Sequence, residues 1–229
     1  MGLWDSISSG FSSVCSVVSS AASWAVSGLS SAAGYLGSAL SSALSAGGGL
    51  LATVGNIASG LLQGLGIFGK DENPEDIGDR ALQAHQQDIV PEKFDNFSQY
   101  METLRNFDLD PQKTKESTLD QKIFKGLEVG GRALEDKYNA PEGSMAGVWQ
   151  LAAANPAYFT ADRFQSILGG GMDISSIVDY FEGRLGGGEA LEIEDQLVDV
   201  DQHANPGKDE NTSRQDIYAM AERSNNTYE

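Results

Sequence analysis

From residue 6 onward, apolar positions recur in steps of three and four: Ile7, Phe11, Val14, Val18, Ala21, Ala25, Leu29, Ala32, Leu36, Ala39 and Ala43. That spacing is one face of a helix. Serine fills a second stripe, with Ser9, Ser13, Ser16, Ser20, Ser23 and Ser27 continuing to Ser45. No proline interrupts residues 6–46, and a continuous helix of that length would reach about 60 Å at 1.5 Å per residue. Gly47-Gly48-Gly49 breaks the pattern, and three consecutive glycines permit a reversal. Leu50 to Phe68 follows with only Thr53, Asn56, Ser59 and Gln63 polar. That is close to the roughly 20 residues that cross a bilayer core. Gly60 and Gly64 stand four apart in this arm, the spacing that lets helices approach closely in lipid. The two arms read as a helical hairpin.

After Lys70 the pattern changes to short amphipathic helices. Asn73-Pro74 followed by Glu75 and Asp76 is a helix-start signal. A helix from there to about Asp88 would place Ile77, Ala81, Leu82 and His85 on one broad side. A second, after Val90-Pro91, carries Phe94, Phe97, Tyr100, Met101 and Leu104, and Asp108–Pro111 is a turn. Residues 117–138 carry Leu119, Ile123, Leu127 and Leu134, with Gly130-Gly131 as a weak point. Shorter helices are predicted over 148–154, 161–168 and 175–185. No alternating strand pattern of useful length appears, so the fold class is all-α. Beyond Gly186-Gly187-Gly188 the chain is acidic and poor in large apolar residues, which predicts an extended tail. Three parts result: an uncharged Gly/Ala/Ser-rich membrane-inserting or self-assembling hairpin (1–69), an acidic helical domain (70–188) and an acidic flexible tail (189–229).

Charge sharpens the division. Asp5 is the only charged side chain before Lys70, so nearly all of the formal −18 of the chain lies beyond that point. An acidic body of this kind does not adsorb to nucleic acid or anionic lipid by bulk charge, so direct nucleic-acid binding is not expected. A charge-free run over three times the spanning length points instead to a lipid bilayer or an equally apolar seam between subunits. The serine stripe favours several helices in a ring, with hydroxyls packed between them or facing water, and hence a homo-oligomer. Cys15 is the single cysteine, so no internal disulfide can form, and it serves as a reporter of assembly with Gly60 and Gly64. The opening Met1-Gly2-Leu3-Trp4-Asp5-Ser6 has no basic n-region, which argues against a secretory signal, and fits the short myristoylation pattern at Gly2. Sequons at Asn96, Asn211 and Asn225 carry weight only in a secreted protein.

Chemistry-bearing motifs are few. Asp199, Asp201, His203, Asn205 and Glu210 stand at calcium-loop spacing, but Ala204 occupies the position where the sharp turn requires glycine. His85 and His203 are far apart, and no Cys/His cluster, phosphate loop or nucleophile–base pairing signature is present, so neither a metal, a cofactor nor a catalytic residue is expected. From Ala133-Leu134-Glu135-Asp136-Lys137-Tyr138-Asn139-Ala140-Pro141 to Val148-Trp149, the chain resembles the helix entry before the catalytic glutamate of lytic transglycosylases. Anchored on Asn155-Pro156, that family's pattern puts Leu151 where the acid belongs and Ala152 where the serine belongs. Leucine cannot protonate a glycosidic oxygen, so the resemblance implies a peptidoglycan-related ancestor that no longer cleaves.

In its organisation, with a Gly/Ala/Ser-rich apolar end and a polar helical end, the chain resembles the small internal virion proteins that short-tailed phages eject with their DNA. That resemblance implies a non-enzymatic protein that oligomerises into a pore or conduit and partners other virion proteins. It would reside in the virion and then in the host envelope membrane. A secreted pore-forming effector of a bacterial injection system, partnering the secretion machine, or a structural oligomer subunit with no membrane role, would share the same pattern.

Overall fold

The structure, a computed structural model, describes residues 49–226, with side-chain environments through Glu222. These residues are all-α, and no strand occurs among them. In chain order the helices are α1 (Gly49–Gly64), α2 (Pro74–Gln86), α3 (Phe97–Arg105), α4 (Pro111–Glu116), α5 (Leu119–Tyr138), α6 (Ala146–Ala154), α7 (Ala161–Gly169), α8 (Ile174–Phe181), α9 (Gly187–Ala204) and α10 (Glu210–Asn226), with a 3-10 turn at Pro91–Lys93.

Side-chain caps set most starts. Asn73, Asn96, Asp110, Thr118, Thr160 and Asp173 each accept a backbone N–H from the first turn of the helix that follows. At α5 the cap is reciprocal, because the Gln121 side chain returns a bond to the Thr118 N–H. Asn139 ends α5 in the left-handed conformation that asparagine tolerates.

Helix α5 is the axis. It is buried continuously from Gln121 to Gly131, so helices pack around it rather than against one side. Its deepest contact is with α2, where Gly78 sits directly on the Lys122 carbonyl and Gly126 on the Pro74 carbonyl. A methyl group at either glycine would overlap backbone atoms, so the two main chains touch without intervening side chains. Helix α1 runs alongside α5 in the same direction, with Gly55 against Ile123 and Leu62 over Gly130. Next to Leu62, and close to Gly130 as well, lies Trp149 of α6, fully buried, whose Nε1 donates to the Leu127 carbonyl at 2.9 Å.

Two expectations from the sequence are corrected here. The apolar arm Leu50–Phe68 is not a free-standing membrane arm: as α1 and its following turn it buries Leu51, Val54, Ala58, Leu61, Leu62 and Phe68 in the same core as α5, α6 and α7. No helix of the described residues is long and apolar enough to cross a membrane. The helical body therefore begins at Gly49 rather than at Lys70. The tail is likewise not extended, since α9 and α10 occupy most of it and bury Ile193, Leu197, Val198, Ile217 and Met220. Their larger apolar residues are few but fall on one side, which a composition count overlooks. The first arm of the hairpin, residues 6–46, lies outside the described residues, as do Cys15 and Gly2.

The turn at Asp108–Pro111 is followed at once by α4, and the break predicted at Gly186–Gly188 is the start of α9, where the Glu189 carboxylate accepts the Gly186 N–H. The Gly130-Gly131 weak point does not interrupt α5, because Gly130 gives Leu62 its room.

Replacing Gly126 by alanine should cost about 3 kcal/mol or more, since its Cβ meets backbone that cannot rotate away. Urea denaturation of the full chain measures this, and an unchanged midpoint would refute the contact. A chain lacking residues 1–69 should fail to fold cooperatively, having lost all of α1; circular dichroism on heating checks it.

Candidate functional site

Three places in the fold gather chemistry. The first is the α1–α7 seam. Gly60 and Gly64, chosen from the sequence as an assembly face, both look onto α7: an added Cβ at Gly60 would lie 2.9 Å from the Ala161 Cβ, and one at Gly64 would collide with the Gln165 amide. The close approach that the spacing promises is therefore used inside the chain, helix on helix, in the helical body. Cys15, the third residue of that set, lies outside the described residues.

The second is a buried charge network that fastens α9 and α10 to α7. Asp201 is 1% exposed. Its Oδ1 accepts from Arg163 Nη2 at 2.5 Å and from Asn205 Nδ2 at 3.1 Å, and its Oδ2 accepts from Lys208 Nζ at 2.6 Å. Arg163 also donates to the Tyr158 carbonyl at 2.8 Å and lies 3.8 Å over the Tyr158 ring. Burial alone would raise the Asp201 carboxyl, but the Lys208 hydrogen bond and the two nearby cations hold it below the usual range. Beside it, Arg214 of α10 bridges to α9 by reaching Glu194 and Asp195, and also holds Glu210 of its own helix, at 2.7 to 2.9 Å. Tyr180 donates its hydroxyl to the other Glu194 oxygen at 3.1 Å, and burial pushes its ionisation upward.

The residues at calcium-loop spacing fall partly within this network. Asp199, Asp201 and His203 lie on helix α9, where a step of two residues turns about 200°, so Asp201 faces away from Asp199 and His203 and is engaged instead by Arg163 and Lys208. Among the described residues no group of three or more His, Cys, Asp and Glu could hold a metal ion. His85 is half-buried on α2, and burial, with the charge of Lys125, pushes its pKa down. At the transglycosylase-like stretch, Leu151 and Ala152 are core residues of α6, 3% and 0% exposed, and open onto no cleft.

The third is a groove of about 730 Å³ along the outer face of α3. Its floor is apolar and half-buried, made by Ile89, Phe94 and Phe107, and its rim carries Gln99, Glu102 and Asp108. The platform beneath is rigidly held. Arg80 Nη1 donates to the carbonyls of Arg105 at 3.0 Å and Phe107 at 2.8 Å, closing the end of α3. Arg105 in turn holds Glu72 at 2.7 Å and the Ile67 carbonyl at 2.7 Å. Burial would raise the Glu72 carboxyl, yet the bonds from Arg105 and the Gly69 N–H keep it low. Tyr100, buried, packs edgewise or tilted on both Phe94 and Phe97 with ring centroids 5.5 Å apart.

Sequence reasoning placed Phe94, Phe97 and Tyr100 on an apolar helix face but did not separate Phe94 and Phe107 as a surface floor. It missed Asp201 as a buried anchor, because the pairing with Arg163 spans 38 positions of the chain. Comparison with protein-family models, curated proteins and solved structures gives no match.

Asp201→Asn should destabilise the fold by about 3 kcal/mol, because it strands Arg163 and Lys208 without their shared anion. The carboxyl is held low in the folded state, so its contribution is full above about pH 4 and fades as pH falls through the folded value. The gap between wild type and variant in urea should accordingly narrow in acid; a gap independent of pH would refute the assignment. Gly60→Leu with Gly64→Leu should wedge α1 from α7 and lower the urea midpoint of the full chain by the equivalent of roughly 3 kcal/mol. An unaltered midpoint would show that the seam yields freely.

Proposed function

We propose that this is a non-enzymatic, membrane-active helical protein that assembles through its uncharged N-terminal segment into a pore or conduit. One observation carries the reading. Residues 6–48 contain no charged side chain and present an apolar stripe beside a serine stripe, and they adjoin a body that holds all but one of the 33 acids. Because the body takes residues 49–69 into its own core, the segment left for an apolar phase is 6–48. At about 60 Å as a helix, it exceeds the roughly 30 Å hydrocarbon core, so it can span once with a long extension or fold into two shorter passes. The serines then have an environment only if copies pack together, which makes the working form a homo-oligomer. The finer arrangement belongs to the same proposal: residues 6–46 helical, turning at Gly47-Gly48-Gly49 into α1.

The resemblance in organisation to the internal virion proteins of short-tailed phages supports placement in a virion, followed by transfer to a host envelope. A body of formal charge near −17 suits that setting, since it stays soluble and does not adhere to the packaged genome. A structural oligomer with no membrane role is the second reading. It draws on Gly60 and Gly64, the lipid-type packing pair, being engaged within the chain.

Dye release from neutral liposomes separates the two. The full chain should release dye, and Val18→Asp with Leu36→Asp should abolish release while leaving the body folded, since each buried carboxylate costs about 3 kcal/mol at the bilayer centre. No release by the full chain would overturn the membrane reading and favour the structural oligomer. Release that survives both aspartates would place the activity outside residues 6–48.

A further inference from the structure

We propose that the groove along α3 is a docking site for a basic segment of a protein partner, a short extended stretch in which one apolar residue is flanked by lysine or arginine. The floor supplies the first half of the recognition. Ile89, Phe94 and Phe107 stay partly exposed in a fold that buries most of its other aromatic rings, and Phe94 packs on Tyr100. Six of the nine lining residues are polar, so the apolar floor is a patch within a largely polar concavity of about 730 Å³, and an occupant must satisfy both.

The rim supplies the second half. Glu102 and Asp108 both line the groove, and none of the residues lining it is basic. The cations nearby are committed elsewhere: Lys93 to Asp88, Arg105 to Glu72, and Arg80 to the carbonyls that end α3. Neither Glu102 nor Asp108 has a cation within salt-bridge distance among the described residues, although Glu102 feels the charge of Arg105, and the body around them is strongly acidic. The field therefore steers cations in and repels anionic peptide, nucleic acid and acidic lipid. A bare metal ion is a poor occupant, because the two carboxylates form part of no metal-holding cluster and the floor is hydrocarbon. From Gln99 to Asn106, α3 offers about 10 Å of groove, which three extended residues cover at about 3.3 Å each. The long stems of lysine or arginine would lie over the aromatic edge while their charged ends meet the rim.

The test uses the full chain and a fluorescein-labelled peptide, Gly-Lys-Leu-Lys-Gly, followed by anisotropy. Binding is expected, weakened about tenfold in Glu102→Gln with Asp108→Asn, two exposed side chains whose amides keep the fold intact. Replacing the peptide's leucine by serine should weaken binding about tenfold as well, which bulk attraction between opposite charges would not produce. Equal affinity of the wild type and the double variant would overturn the proposal. So would equal affinity for the leucine and serine peptides, or binding of Gly-Glu-Leu-Glu-Gly as tight as that of the lysine peptide.

Discussion

The crossing of α2 over α5 at Gly78 and Gly126 is the constraint on which the rest of the body depends. Two helix backbones in direct contact leave no freedom in their spacing, and the positions of everything attached to them follow. Asp79, one residue past the contact, is brought to Lys122 at 3.2 Å. Gln83, one turn further along α2, donates to Asp79 and to Thr114 at 3.0 Å each, and accepts the Asp110 N–H at 2.9 Å. The crossing thus fixes α4 through a buried amide. Arg80, on the adjacent strip of α2, closes the end of α3 and sets the floor of the groove. A chain of polar contacts runs from a pair of glycines to a surface site.

Buried charge in this body is arranged to be satisfied locally. Asp79, Lys122, Lys125, Glu128, Arg163 and Asp201 are each less than a tenth exposed, and each meets an opposite charge. Such pairs add little net stability over apolar residues of the same shape, but removing one member is costly. Their effect is therefore specificity. Arg163 with Asp201 permits one docking of α9 on α7, and Arg214 with Glu194 and Asp195 permits one register of α10 on α9. Few large apolar side chains are needed in the last forty residues because ion pairs choose the arrangement and a short apolar stripe holds it.

The helix start at Asn73-Pro74 was legible in the sequence, since the cap acts through its own first turn and needs no distant partner; Asn96, Thr118 and Asp173 cap in the same way but were not picked out. What was not legible depended on distance. Gly78 and Gly126 stand inside two amphipathic helices where alanine would serve a lone helix better; such a glycine is the signal for close approach, and only pairing the two reveals it. Leu50–Phe68 matches the length and apolarity of a membrane arm. A helix buried on several sides by its own chain has the same composition, and periodicity cannot distinguish lipid from protein as the apolar medium. The groove escaped notice because Phe94 and Phe107 look like core residues until the loop that carries them is placed.

The assignment of α1 to the core changes what the uncharged segment can do. If all of residues 6–69 were free to enter an apolar phase, delivery would leave an acidic remnant with no tie to the membrane beyond one peptide bond at Lys70. With α1 packed against α5, α6 and α7, the segment that proposes itself for insertion ends at a helix anchored in the body by Leu51, Val54, Ala58, Leu61 and Leu62. Any pull on residues 6–48 is therefore transmitted to a folded domain rather than to a loose chain. In the membrane-bound oligomer proposed above, the acidic surface of that domain would set how closely the copies crowd. Like charges near −17 on each copy repel over about 8 Å at physiological salt, so a ring held together only at its uncharged segments would spread its bodies outward. On the proposed reading those two terms would give an assembly with a narrow apolar stem and a wide acidic rim, and a basic partner bridging the α3 grooves would be the natural means of drawing the rim together.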